Sequence, residues 1–133
     1  MKHDPFDFAL AIMEGVSHLL KKNMDYIEKA GFRTEMIIST GGGAKSALWS
    51  QMKADITQHT VAIPQNEEAA CLGAAMIGAV SDGIFPNYEA AVAKCVTIKK
   101  TYVPQPAGKY LKKHALFNLM FEQSLPVFQF ARR

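Results

Sequence analysis

Met36-Ile37-Ile38-Ser39-Thr40-Gly41-Gly42-Gly43-Ala44-Lys45-Ser46-Ala47-Leu48-Trp49 is the stretch that decides the fold. Residues of strand character run into three consecutive glycines, and a helical pattern follows at once. Ile37 and Ile38 are β-branched and suit a buried strand. The glycines allow a sharp turn with positive φ and let a ligand approach the backbone without meeting a Cβ. The helix N-terminus beyond them offers free N–H groups and a partial positive charge, which suits phosphates and other polar ligands. Strand, glycine turn and helix, in that order, build nucleotide sites in α/β folds. The stretch therefore predicts half of an adenine-nucleotide site. The alternative is a tight strand-to-helix turn that holds no ligand.

Two other glycine motifs do not fit. A Walker A loop ends in Gly-Lys-Ser, whereas Ala44 precedes Lys45 and no glycine lies at the required upstream spacing. A dinucleotide fingerprint needs a third glycine where Ser46 stands. Glu67 falls near the place of that motif's ribose-binding acid, but it follows Pro64 and reads as a helix start rather than a strand end.

A chain of 133 residues is enough for one compact domain, predicted over residues 1–133. With 49% hydrophobic and 20% charged residues, the balance is that of an ordinary globular protein. The net charge of +3 comes with separated basic pairs, Lys21-Lys22, Lys99-Lys100, Lys112-Lys113 and Arg132-Arg133, which argues against nucleic-acid binding. Cys71 and Cys95 form no C-x-x-C, so neither a disulfide framework nor a zinc site is expected, and a reducing cytoplasm fits. There is no signal peptide and no apolar run long enough for a membrane span. His3, His18, His59 and His114 show no ligand spacing and read as structural or surface residues.

Along the chain, Asp4-Pro5 opens a helix with a cap and a favoured first position, and Asp7 adds favourable charge. Phe6, Ala9, Leu10, Met13, Val16, Leu20, Met24 and Ile27 keep a helical period to about Ala30, with Gly31 as the stop. Such a helix spans about 38 Å and is expected to lie across a sheet containing Met36 to Ser39. After the glycines, Leu48, Trp49, Met52 and Ile56 mark the buried side of a second helix, with Gln51, Lys53, Asp55 and Gln58 as polar positions. Ser46, in its first turn, suits a cap or a ligand contact. Val61 to Ile63 reads as a short strand ended by Pro64.

Glu67 and Glu68 then start a third helix, where Ala70, Ala74 and Gly78 form one small-residue row and Cys71, Ala75 and Ala79 another. Such rows suit tight packing on a sheet or close approach of a ligand. Asn87 caps a short helix through Lys94, and Val96 to Val103 is extended. From Lys109 a helical tail carries Tyr110, Phe117, Met120, Phe121 and Phe128 as a core stripe, with Pro126 expected to kink or interrupt it.

Gly41-Gly42-Gly43-Ala44-Lys45-Ser46-x-Leu48-Trp49-x-Gln51-x-x-Ala54-Asp55 resembles the adenosine motif of FGGY-family carbohydrate kinases, especially xylulokinase-like members. Pro64-x-x-x-Glu68-Ala69-x-x-Leu72-Gly73-Ala74-Ala75 resembles the segment that follows it in that family. Ala11-Ile12-Met13-Glu14-Gly15 is similar to the end of an upstream family signature, with Leu10 where an arginine is usual. The tail with Pro104, Tyr110 and Phe117 is also similar to the family's C-terminus, so the resemblance covers nearly the whole chain.

The resemblance implies an α/β fold of ribonuclease-H-like, actin/hexokinase type, with a sheet flanked by helices. The chain would be the C-terminal nucleotide-binding portion of a kinase that moves the ATP γ-phosphate to a sugar hydroxyl, xylulose or a related pentulose, with Mg²⁺ in the full-length parent. The family's phosphate loop and general-base aspartate have no counterpart here, so no catalytic or metal residue is carried over and the fragment alone is expected to be inactive. The carry-over is limited to Gly42, through its backbone, to Gly41 and Gly43 as the glycines that permit approach, to Ser46 toward adenine, and to Ala44 and Lys45 lining the turn. Expected partners are ATP, a sugar held by another part of the parent, and a second copy through exposed apolar surface. A non-catalytic nucleotide-binding or interaction module of the same fold is the alternative. A free-standing dinucleotide domain is the third and weakest possibility.

Overall fold

The first helix, α1 (Pro5–Lys29), forms where its capping signals sit. Asp4 Oδ1 accepts the N–H groups of Phe6 and Asp7 at 2.8 and 3.0 Å, and Asp7 Oδ2 accepts the Asp4 N–H at 3.1 Å. This reciprocal box satisfies donors the helix cannot satisfy itself. At the other end Gly31 takes φ 91°. Its N–H bonds to Glu28 O and that of Phe32 to Ile27 O, the paired closure of a Schellman motif.

In the computed structural model, residues 3–106 and 108–131 are described. After α1 come β1 (Met36–Ile38), a single 3₁₀ turn (Gly42–Ala44), α2 (Ala47–Thr57), β2 (Thr60–Pro64), α3 (Ala69–Ser81), α4 (Tyr88–Cys95), β3 (Ile98–Tyr102) and α5 (Gly108–Ala131). The sheet runs β1-β2-β3. β1 and β2 are parallel, with Ile37 opposite Val61, while β2 and β3 are antiparallel, with Ala62 opposite Thr101. Only β2, the central strand, is buried along most of its length, at Val61, Ala62, Ile63 and Pro64. β1 differs from the buried strand expected of it. Its Met36 and Ile38 share one face of the strand, which is exposed, and Ile37 on the other face packs toward the core.

Two apolar clusters hold these elements together. Ala44, Ala54, Val61 and Ile63, with Ile37 and Tyr102, join the 3₁₀ turn and α2 to the sheet. Met52, Ile56 and Tyr110, with Met13 and Trp49, join α2 to α1 and α5. Helix α2 is thus the layer between the sheet and the long helices. The expectation that α1 packs on the sheet is corrected: α1 packs on α2 and α5, and α2 is the helix that meets β2 and β3.

The buried face of α1 also differs from the apolar period. Of the residues in that period only Met24 is buried, while Ser17, His18 and Lys22 are buried beside it. Most of these polar atoms have partners, but His18 Nε2 is buried without one. Lys22 Nζ lies 2.9 Å from Glu122 Oε1 and 4.7 Å from the Phe121 ring centre. His18 Nδ1 lies 3.3 Å from His114 Nδ1, and its ring stacks on Phe117. Leu48 was expected on the buried side of α2 but is 60% exposed.

In α5 the expected core stripe divides. Tyr110 is buried and Phe117 and Phe121 are half-buried, whereas Met120 and Phe128 are exposed. The helix continues through Pro126 to Ala131 and is not interrupted there. Pro126 lacks the N–H that would bond the Glu122 carbonyl one turn back. Helix α3 is corrected more fundamentally. Its rows of small residues do not pack on the sheet; none of its residues is buried, and its helix neighbour is α4. No helix among the described residues is long and apolar enough to cross a membrane.

Candidate functional site

Beyond β1, Ser39 still bonds to the sheet, its N–H donating to Ala62 O at 2.9 Å. Gly41 then takes φ 74°, ψ −166°, a conformation essentially reserved for glycine. Its carbonyl accepts the Ala44 N–H at 3.0 Å, and that of Gly42 accepts the Lys45 N–H at 3.2 Å, closing the 3₁₀ turn. Ser46 is the N-cap of α2: its Oγ accepts the Trp49 N–H at 3.2 Å. The chain therefore reverses over a few residues between two well-anchored elements.

The three glycines do different work. At Gly41 the backbone itself excludes other residues. At Gly43 a Cβ would stand 3.0 Å from the Trp49 ring, so the indole packs directly on the backbone. Gly42 has neither constraint: its φ is not positive, and nothing lies within 4 Å of where its Cβ would point. Of the three, only Gly41 shows the positive φ expected of the glycines. Space is open on the side where a Cβ of Gly42 would point.

Trp49 links this turn to the rest of the molecule. Its Nε1–H donates to the fully buried Ser17 Oγ at 3.1 Å, and Ser17 donates to Met13 O at 2.7 Å. Lys53, one turn further along α2, lies over the indole with Nζ 4.7 Å from its centre and donates to Ser39 Oγ at 3.1 Å. Burial holds the Lys53 amine below the usual lysine range.

The remaining site residues separate. The Ala44 side chain points into the core, leaving only its backbone at the turn. Lys45 reaches sideways, with Nζ 3.2 Å from Glu67 Oε2 in the connector to α3. That connector is set by Asn66, whose Oδ1 accepts the Glu68 N–H at 2.9 Å; α3 begins at Ala69, two residues later than the sequence suggests. Ser46 and Gly43 are half-buried, while Gly41 and Gly42 are exposed. Sequence reasoning missed Asp55 as a tie. It is buried, and its Oδ1 accepts from Gln51 Nε2 at 2.8 Å and from the Gln105 N–H at 2.9 Å, fixing the link from β3 to α5. It also missed the Lys53–Trp49 pairing, for which the i, i+4 spacing of a cation and an aromatic ring was the available signal.

A groove of about 350 Å³ runs along α1 between His3 and Glu14 beside Lys113, and no residue of the glycine turn lines it. Among the described residues no group of three His, Cys, Asp or Glu side chains gathers closely enough to hold a metal ion.

The chain is similar to known proteins over most of its length. A xylulose kinase of Bacillus subtilis (strain 168) is 33% identical over 117 residues, 88% of this chain and 23% of that protein. A xylulose kinase of Staphylococcus epidermidis (strain ATCC 35984) is 29% identical over 125 residues, 92% of this chain and 25% of that protein. The chain thus spans about a quarter of the length of the curated relatives it matches. The crystal structure of ligand-bound xylulose kinase from Lactobacillus acidophilus superposes with a TM-score of 0.82 at 22% identity, over 92% of this chain and 25% of that one. That likeness establishes the fold as the actin/hexokinase type of sugar kinases, a small sheet flanked by helices. Residues 1–81 match the model of the FGGY family of carbohydrate kinases, C-terminal domain. With more than half of its residues inside that match, the chain belongs to the FGGY family of carbohydrate kinases, as a C-terminal part.

Proposed function

We propose that residues 1–133 form one unit, the C-terminal nucleotide-binding part of an ATP-dependent sugar kinase whose acceptor is xylulose or a related pentulose. The observation that carries this reading is the open face of Gly42, held between a glycine-only conformation at Gly41 and the indole-packed Gly43. A turn with no side chain at its apex fits a flat base or a ribose approaching the backbone. Gly41, Gly42 and Gly43 supply the approach, Ala44 contributes backbone, and Ser46 and Lys45 flank the turn. Ser46 Oγ already accepts the Trp49 N–H, and its O–H is what it offers to a ligand. The names of the relatives support the sugar-kinase assignment.

ATP supplies the γ-phosphoryl group, and in such transfers the protein's part is positioning and charge stabilisation. This chain's residues orient the adenosine end. None of its carboxylates is assigned as the base, and Mg²⁺ is assigned to the phosphates and to residues of the parent outside this chain. The chain alone is therefore inactive as a kinase. The parent works in the cytoplasm, and the isolated chain self-associates through exposed apolar side chains such as Leu119, Met120 and Phe128 of α5.

Amide shifts test the nucleotide assignment directly. Titrating millimolar ATP into this chain should move the resonances of Gly41 to Ser46, and Gly42→Val should abolish the change while leaving the fold intact. Unmoved turn amides in the presence of ATP would leave the turn a structural element only.

A further inference from the structure

Lys53 sits where three parts of the candidate site converge. Its ammonium bonds to Ser39 Oγ at 3.1 Å, lies 4.7 Å from the centre of the Trp49 indole, and comes within 3.6 Å of where a Cβ on Gly43 would stand. Ser39 leads into the glycine turn and Gly43 lies inside it, with only Thr40, Gly41 and Gly42 between them. One cation is thus bonded to one shoulder of the loop whose apex is the open Gly42 and seated on the ring that packs against the other. Among the described residues no carboxylate is paired with Lys53. Its contacts are the hydroxyl and the ring.

We propose that Lys53 is a positioning residue: seated on Trp49 and bonded to Ser39, its ammonium holds the Ser39–Ala44 turn in the conformation that the nucleotide meets. This rests on the nucleotide reading above and adds a residue to it. The physical need is plain. Consecutive glycines are the least restrained backbone available, so a turn made of them keeps one shape only if something outside it imposes that shape. Trp49 supplies a wall under Gly43, anchored through Ser17 to α1. Lys53 supplies the tie across the mouth of the loop, and a cation over an indole face is held there electrostatically. A turn fixed before its ligand arrives loses less freedom on binding. The half-buried amine, with its pKa lowered by desolvation, fits a cation kept in place by these contacts rather than by an opposite charge.

The test uses this chain with Lys53→Met, which removes the charge, and Lys53→Arg, which keeps one. In the ligand-free protein, amide hydrogen exchange at Ala44 and Lys45, whose N–H groups bond within the turn, should quicken about tenfold in Lys53→Met, with α5 unchanged, and return toward the wild-type rate in Lys53→Arg. Trp49 is the chain's single tryptophan, so its emission reports on the cation above it. In the wild type that emission should change as pH rises through a midpoint below 10.5, and Lys53→Met should lose this step. ATP should then require about tenfold higher concentration to shift the turn amides in Lys53→Met than in the wild type, a factor matching the exchange change. Turn exchange and an emission profile identical in wild type and Lys53→Met would overturn the proposal. Should Lys53→Met fail to fold, a wild-type emission profile with no step below 10.5, or a Lys53→Arg turn as mobile as an unrestrained one, would overturn it equally. A wild type that shows both ligand-free signatures but no response to ATP would overturn the nucleotide reading and not the tie.

Discussion

Helices α2 and α3 each follow a strand of the same sheet, and they end in opposite surroundings. α2 carries Ser, Gln, Lys, Asp and Thr, yet it buries Ser50, Met52, Ala54, Asp55, Ile56 and Thr57. α3 is almost wholly Ala, Gly, Leu, Ile, Val, Met and Cys, yet none of its residues is more than half-buried. The difference lies in neighbours. α2 has the sheet on one side and α1 and α5 on the other, while α3 has α4. Apolar composition measures how much a helix would gain by being covered. Whether it is covered depends on what the rest of the chain brings to it, and polar residues go inside wherever a partner waits for them.

The sharpest way to break this contrast is to truncate one apolar residue on each helix. Ile56→Ala should cost about 2–5 kcal/mol, because it opens a cavity beside Met52 and Tyr110. Ile77→Ala on α3, where Ile77 is 57% exposed, should stay within about 0.5 kcal/mol. Urea unfolding of both variants measures the pair, and equal losses would mean that α3 is covered in solution. Next in size is Asp55→Ala, which strands the Gln105 N–H and should cost about 2 kcal/mol, with faster amide exchange at Gln105. Gly43→Ala should follow at about 1 kcal/mol or more, since its methyl meets an indole that Ser17 holds in place. Gly42→Ala, facing open space, should change stability by less than about 0.5 kcal/mol, and thermal melts of the two glycine variants compare them.

The smallest effect belongs to the polar seam between α1 and α5. Burial first, and the neighbouring His114 second, hold the His18 pKa below 6.5. The unfolded chain therefore binds the His18 proton more readily than the folded one. The stability this provides is complete above pH 6.5 and is lost as pH falls from 6.5 through the lower folded value. Melting temperature should decline over that window, and His18→Leu should flatten the slope.

Much of this architecture was legible because it is local. Asp4 and Gly31 mark the ends of α1, Asn87 caps α4 with its Oδ1 2.9 Å from the Ala90 N–H, and strand, glycine turn and helix follow one another as read. What stayed hidden is long-range. A period shows which side chains share a face, and it is silent on whether that face finds a partner. Hence Ser17, His18 and Lys22 are buried against residues of α2 and α5, and Asp55, read as a polar position, is a tie to Gln105. At the candidate site the residue types were visible, but the division of roles was not. Gly41 and Gly43 owe their identity to backbone and indole, and only the backbone geometry separates them from Gly42.

The antiparallel pairing of β2 with β3 has a topological consequence. Pro64 stands opposite Ile98, and the Gln65 N–H bonds to Thr97 O at 2.8 Å, so the two strands are the arms of a hairpin. Everything from Asn66 to Val96, including α3 and α4, is the loop of that hairpin. The entropy of closing a loop grows only logarithmically, about 0.6 kcal/mol per doubling of length. A helical pair whose fully buried residue among those described is Ala91 is therefore a tolerated insertion. Closing so long a loop costs β2 and β3 little, and they keep their register across it.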